Sequence, residues 1–235
     1  MPVPPAPAMP PGAGSALVST ARVAGLFYLS LGVTGMLGFL VIRPALFVAD
    51  DAAGTLARLV DHEPLARAGI ALEMATVLAQ TLAALWFYRL FRSIDTFAAG
   101  SLAVFGLFNA AAIMTSAALL ATALQSALGP LSTGDGPQLF YLASANAWNV
   151  GNLFFGLWLI PMGWCVLRSG WMPKSLGWIL IAGGPGYVLN AFASYLAPQA
   201  GVATALLVVP ATIGEFWMIG YLLIHGIRRD APSTR

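Results

Sequence analysis

The side chains in this sequence with capacity for chemistry are few, and most of them carry no charge. Glu73 and Glu215 each lie inside a long apolar run, and Asn146, Asn149 and Asn152 recur every third residue in another. Asn109, Gln80 and Asn190 add amides at comparable depth. Two carboxylates facing one polar interior could handle a proton or a cation, with amides beside them orienting a small ligand. The same groups could instead join helices through hydrogen bonds worth roughly 0.6 kcal/mol each. At 100° per residue the three asparagines fall within an arc of about 120°, continued by Gly156 and Gly163, so one face of their helix is small and polar. That concentration exceeds what joining two helices requires.

Other chemistry is poorly represented. His62 and His225 belong to opposite membrane faces, and the single cysteine, Cys165, sits in an apolar run, so no His/Cys metal set and no intramolecular disulfide can form. HExxH, GxSxG, Walker and Rossmann patterns are all missing. The sequence calls for no cofactor and no metal, and an enzyme is the less favoured class.

The elements that must position these groups follow from composition. Of 235 residues, 59% are hydrophobic and only 9% charged, against roughly 25% charged in a soluble domain. Mean hydropathy is +0.81. A water-soluble fold is excluded, and the apolar runs, each about the ~20 residues needed to cross a bilayer or longer, indicate an all-α polytopic membrane helix bundle. Six spans are expected, at 22–42, 67–89, 97–127, 139–167, 175–197 and 202–226. They form one domain over 21–229, between a proline-rich, disordered tail at 1–20 and a short cytoplasmic tail at 230–235. The 11 basic and 9 acidic residues are too scattered for a nucleic-acid surface.

Six spans put both termini on one side. Arg22, Arg89, Arg92, Arg168, Lys174, Arg228, Arg229 and Arg235 fall on that side, and Arg43, Arg58 and Arg67 on the other, which predicts N-in/C-in. In the first outer loop, DDAAGTLARLVDHEP predicts a short interfacial helix capped by Asp50 or Asp51, with Leu56, Leu59 and Val60 as its apolar edge and Pro64 as its stop. Spans three and four are longer than a bilayer needs and must tilt, kink or project as a hairpin around LGPLSTGDGPQ. Gly183-Gly184-Pro185-Gly186 in span five, and Pro210 with Gly214 in span six, predict packing kinks or the edge of a cavity.

An ionised carboxylate at mid-membrane costs roughly 2.5–3.5 kcal/mol on insertion scales. Glu215, 13 residues into span six, is therefore expected to face the interior, protonated or partnered. Glu73 lies nearer the outer surface, with Arg67 in reach as its partner. Trp86, Tyr88, Trp164, Trp171, Trp178 and Tyr221 sit where interface anchors belong, whereas Trp148 stands beside the asparagines.

Three stretches carry a family resemblance: ARVAGLFYLSLGVTG at 21–35, FFGLWLIPMGWCVLRSGWMPKSLGWILIAGGPGYVLN at 154–190, and LLVVPATIGEFWMIGYLLIHG at 206–226. Together they resemble the bacterial membrane family of domain of unknown function 4386, over roughly residues 20–228. LRSGWMPKSLG is the most distinctive piece, and Glu73 and Glu215 look like features of the same pattern. Where that pattern has a histidine in span four this chain has Asn146, which argues against imidazole proton chemistry there. The resemblance implies a six-helix bacterial plasma-membrane protein and brings no activity with it.

The reading favoured by the sequence is a multi-pass protein with an interior polar site between spans two, three, four and six. That site handles a small solute, a proton or a lipid headgroup, with Glu73 and Glu215 binding or titrating and Asn109, Asn146, Asn149 and Asn152 orienting. Membrane lipids are its expected partners, and an oligomer or partner subunit is compatible with it. The alternative is a non-catalytic scaffold or accessory subunit in which every polar group only joins helices. A lipid-modifying enzyme, the least favoured reading, needs Glu73 and Glu215 within about 5–7 Å of each other.

Overall fold

The structure, a computed structural model, describes residues 13–129 and 135–228. Among these residues it is helical throughout, with no strand. The helices are α1 (Ala13–Met36), α2 (Arg43–Leu46), α3 (Ala52–Asp61), α4 (Glu63–Phe91), α5 (Thr96–Leu128), α6 (Asp135–Ser169), α7 (Lys174–Leu196), α8 (Gly201–Leu207) and α9 (Val209–Ile224). A π-helical turn, Leu37–Ile42, joins α1 to α2 in one continuous rod.

Among the described residues, six helices are long and apolar enough to cross a membrane: Gly14–Leu46, Glu63–Phe91, Thr96–Leu128, Asp135–Ser169, Lys174–Leu196 and Thr204–Ile224. Several outrun the apolar stretches that announce them. The first begins well before Arg22, because Leu17 and Val18 pack against the main core. Residues 13–20 of the expected tail are thus helical, while 1–12, 130–134 and 229–235 lie outside the described residues, and with them the rest of both tails and part of the LGPLSTGDGPQ turn.

Each span packs on its sequence neighbours: α1 on α4, α4 on α5, α5 on α6, α6 on α7, and α7 on α9, which returns to α1 and closes a ring. Short connections between antiparallel helices make this the simplest topology available. Local chemistry fixes the turns. Asp95 caps α5 by accepting the Ala98 N–H at 3.0 Å and takes the Trp164 indole N–H at 3.1 Å on its other oxygen, pinning α5 to the end of α6. Gly170, at φ +65°, reverses the chain after α6, and Pro173 precedes α7.

The backbones of α6 and α7 approach closely. A Cβ at Gly156 would run into the Gly184 carbonyl, and one at Gly163 into the Gly177 carbonyl. These glycines, expected to continue the asparagine face, bring two backbones together instead. The glycine run of span five packs likewise, Gly183 against Ala211 and Gly186 against Leu207, and α7 continues through it unbroken to Leu196. In span six the interruption falls at Val208, between α8 and α9, and Pro210 occupies the first turn of α9, where its missing N–H costs nothing.

At 33 and 35 residues, α5 and α6 reach roughly 50 Å, well beyond a ~30 Å hydrocarbon core. Their overhang meets α3, whose cap is Asp51 accepting the Gly54 N–H at 2.8 Å. Leu59 of α3 is buried with Leu120, Leu124 and Tyr141 in a second apolar cluster, and Leu56 packs on it. Val60, expected on the same apolar edge, is exposed. Pro64 lies in the first turn of α4, so it begins the next helix immediately after α3 ends. The main core surrounds Trp158, fully buried, with Tyr28 and Phe87 packed edge-on against it at 5.4 and 5.8 Å.

Candidate functional site

Two buried carboxylates organise two polar centres. The first is built around Arg43. Inside an α-helix the ring of Pro44 would clash with the carbonyl four residues back. The π-helical turn relieves this by taking in an extra residue, with the Arg43 N–H bonded to the Gly38 carbonyl five residues back. Arg43 ends up inside the bundle, only 9% exposed. Its Nε and Nη2 donate to Glu73 Oε1 at 3.2 and 2.5 Å, and Nη2 also reaches Ser116 Oγ at 2.6 Å and Ser144 Oγ at 2.7 Å. Ser116 donates to Glu73 Oε2 at 2.7 Å, leaving Ser144 as donor in the 2.8 Å contact between the two hydroxyls. The Trp148 indole N–H completes the carboxylate's shell at 3.1 Å.

Four spans meet in this knot, its formal charges cancel, and each carboxylate oxygen accepts at least one hydrogen bond. A void of about 10 Å³ beside the ion pair holds about one water. The Glu73 centre is therefore closed. Arg43, expected in the outer loop, is Glu73's partner, while the expected partner Arg67 pairs with Glu63 on the surface of its own helix at 2.7 Å. The π-helical turn carries the first span past its apolar run and brings Arg43 into the bundle.

The second centre is open. A cavity of about 470 Å³ lies between α1, the π-helical turn, α6, α7 and α9, with Thr76 of α4 at its edge. That volume is in the range of small-molecule sites. Its lining is mainly apolar and aromatic, and Glu215, 9% exposed, is its one charged side chain among the described residues. Tyr28 donates to Glu215 Oε1 at 2.7 Å and Tyr187 to Oε2 at 3.2 Å. Both phenols are held by neighbouring rings, Tyr28 edge-on to Phe87 and Tyr187 edge-on to Phe155. Asn152, Thr212 and Thr76 are the remaining polar side chains of the lining.

The cavity exists because α1 and α9 touch at one end and part at the other. At Gly25 a Cβ would collide with Leu222, whereas at Gly32, two turns on, it would meet nothing within 4 Å. Met36, Leu40 and Phe216 rim the gap and are exposed.

A family model described as "Domain of unknown function (DUF4386)" matches residues 23–226. The chain belongs to the DUF4386 family. No curated protein and no solved structure matches it. The DUF4386 match runs from the first span through the sixth and takes in both centres.

In this DUF4386 chain the expected site residues scatter. Glu215 and Asn152 share the cavity; Glu73 sits in the closed knot, with hydrogen-bond partners distinct from those of Glu215. Asn109 is buried and donates to Gln80 at 3.3 Å, joining α5 to α4. Asn146 is exposed and accepts from Tyr195 at 3.1 Å. Asn149 is half-buried and outside the cavity lining. The cavity draws on spans one, two, four, five and six, and span three, expected to contribute, lines none of it. Sequence reasoning missed Tyr28, Tyr187, Ser116 and Ser144. Tyr28 offered a signal, a phenol deep in the first apolar run away from either interface belt.

Proposed function

We propose that the protein binds a lipophilic small molecule inside the membrane, in the cavity between α1 and α9, with Glu215 as the polar anchor and Asn152 and Thr212 orienting the bound molecule. One observation carries this reading: a buried carboxylate with no basic side chain beside it among the described residues faces an apolar cavity of about 470 Å³. The exposed apolar rim at Met36, Leu40 and Phe216 supports entry sideways from the bilayer. Glu73 has a supporting part, holding the indole of Trp148, whose ring belongs to the cavity wall.

The orientation goes with this proposal. With Arg43 removed from the outer loop, Arg58 and Arg67 alone face eight basic residues on the other side, which strengthens N-in/C-in. α3 then lies at the outer surface over the α5–α6 overhang. A reporter fused at the C-terminus, active only in the cytoplasm, tests the orientation.

The binding reading is tested by mass spectrometry of molecules retained by the protein purified in nanodiscs. A compound enriched on the wild type and lost from both Gly32→Phe and Glu215→Gln supports it. Equal retention of bulk lipid by all three refutes it and leaves the scaffold as the better description.

A further inference from the structure

The chain treats its two buried carboxylates differently. To Glu73 it supplies a guanidinium, the Ser116 hydroxyl and an indole N–H. To Glu215 it supplies two phenols and no cation. Each carboxylate oxygen has two lone-pair positions, and one phenol on each leaves acceptor capacity on both. No Lys, Arg or His lines the cavity among the described residues, and Arg43, which lies over the ring of Phe39 in the lining, is committed to Glu73.

The lining is rich in aromatic rings: Tyr28, Phe39, Trp148, Phe155, Tyr187 and Phe216 all border the space. The faces of such rings attract cations, the more so when water is excluded. Phe39 already does this within the protein, with the Arg43 guanidinium 5.4 Å from its ring centre. A neutral lipid would leave the acceptor capacity of Glu215 unused, and an anion would be repelled by it. A cation with an apolar body satisfies carboxylate, rings and apolar walls together.

We infer that the cavity takes a lipophilic cation, an amine or quaternary onium carried on an apolar body, whose charged centre pairs with Glu215 between the rings of Tyr28 and Tyr187. This rests on the cavity being a binding site, and the test separates the two claims. Radiolabelled tetraphenylphosphonium is bound to the protein in nanodiscs, against empty nanodiscs. Tetraphenylborate, of the same shape and opposite charge, and neutral triphenylmethanol serve as competitors.

The expected result is saturable tetraphenylphosphonium binding, displaced at least tenfold less effectively by either competitor, weakened at least tenfold by Glu215→Gln and abolished by Gly32→Phe. If all three probes compete equally, Gly32→Phe blocks them and Glu215→Gln does not, the cation inference is overturned while the cavity remains a binding site. If binding survives Gly32→Phe, the probe sits elsewhere and the inference also fails. If folded wild-type protein retains none of the probes, both claims fall. The comparison of opposite charges on the wild type decides the matter even where Glu215→Gln does not fold.

Discussion

Replacing Arg43 with Met should destabilise the protein far more than its count of hydrogen bonds suggests. Interhelical hydrogen bonds in membranes average about 0.6 kcal/mol, because the unfolded chain in the bilayer also finds partners. The four made by the Arg43 side chain would then be worth about 2–2.5 kcal/mol. Glu73, however, is only 3% exposed, and stripping a buried charge of its counter-ion costs about 3–5 kcal/mol. The second effect should win. At about 2–4 °C per kcal/mol for a chain of this size, Arg43→Met lowers Tm in detergent by about 6–20 °C, and Glu73→Gln acts comparably by stranding the guanidinium. The decisive term is the coupling. Arg43→Met/Glu73→Gln removes both charges and should recover at least 2 kcal/mol relative to the sum of the single changes. Thermal unfolding of the four proteins measures it. Additive single effects, or a loss below about 1 kcal/mol for Arg43→Met, would show that the knot is a set of independent weak bonds.

Gly32→Phe should fold as well as the wild type or better, with an unchanged or higher Tm, since its Cβ meets nothing within 4 Å and the change relieves part of the ~1 kcal/mol penalty of a helical glycine. Gly163→Ala should lose about 1–3 kcal/mol, because its Cβ meets the Gly177 carbonyl. Gly100→Ala, with nothing within 4 Å, should gain about 0.4–1 kcal/mol, and the opposite signs of these two Tm shifts check the α6–α7 contact. Asp95 is held below its ordinary 3.8 by the Ala98 N–H and then by the Trp164 indole. A depressed carboxyl contributes stability above its unfolded value and loses it as pH falls through the folded one. The Tm gap between wild type and Asp95→Asn should therefore be full at pH 6 and shrink below pH 3.8; a gap that does not change with pH would contradict this.

The six spans were legible because charge is so scarce here that each apolar run is bounded by it or by Pro and Gly. Glu215 was legible for a related reason: a carboxylate at mid-membrane has to face something other than lipid. What the sequence hid depends on rotation about helix axes. Arg43 stands at the end of an apolar run and looks like a loop charge until the π-helical turn before Pro44 carries it inward. Asn146, Asn149 and Asn152 share one arc of α6, yet α7 takes the first through Tyr195 and only the last borders the cavity. Gly156 and Gly163 look like a continuation of that polar face and are instead backbone contacts with α7. The cavity had no sequence signature, since it arises where α1 and α9 part: they are in close contact at Gly25 and open at Gly32.

The most direct measurement is a density map of the protein in nanodiscs, determined with a rigid binder for alignment, for wild type and Gly32→Phe. The expected result is an elongated density between α1 and α9 in the wild type, one end in contact with Glu215 between Tyr28 and Tyr187, and no such density in Gly32→Phe. A wild-type map in which α1 and α9 close along their whole length, with side chains filling the space and the remaining acceptor positions of Glu215 taken by residues of the chain other than Tyr28 and Tyr187, would contradict a binding cavity.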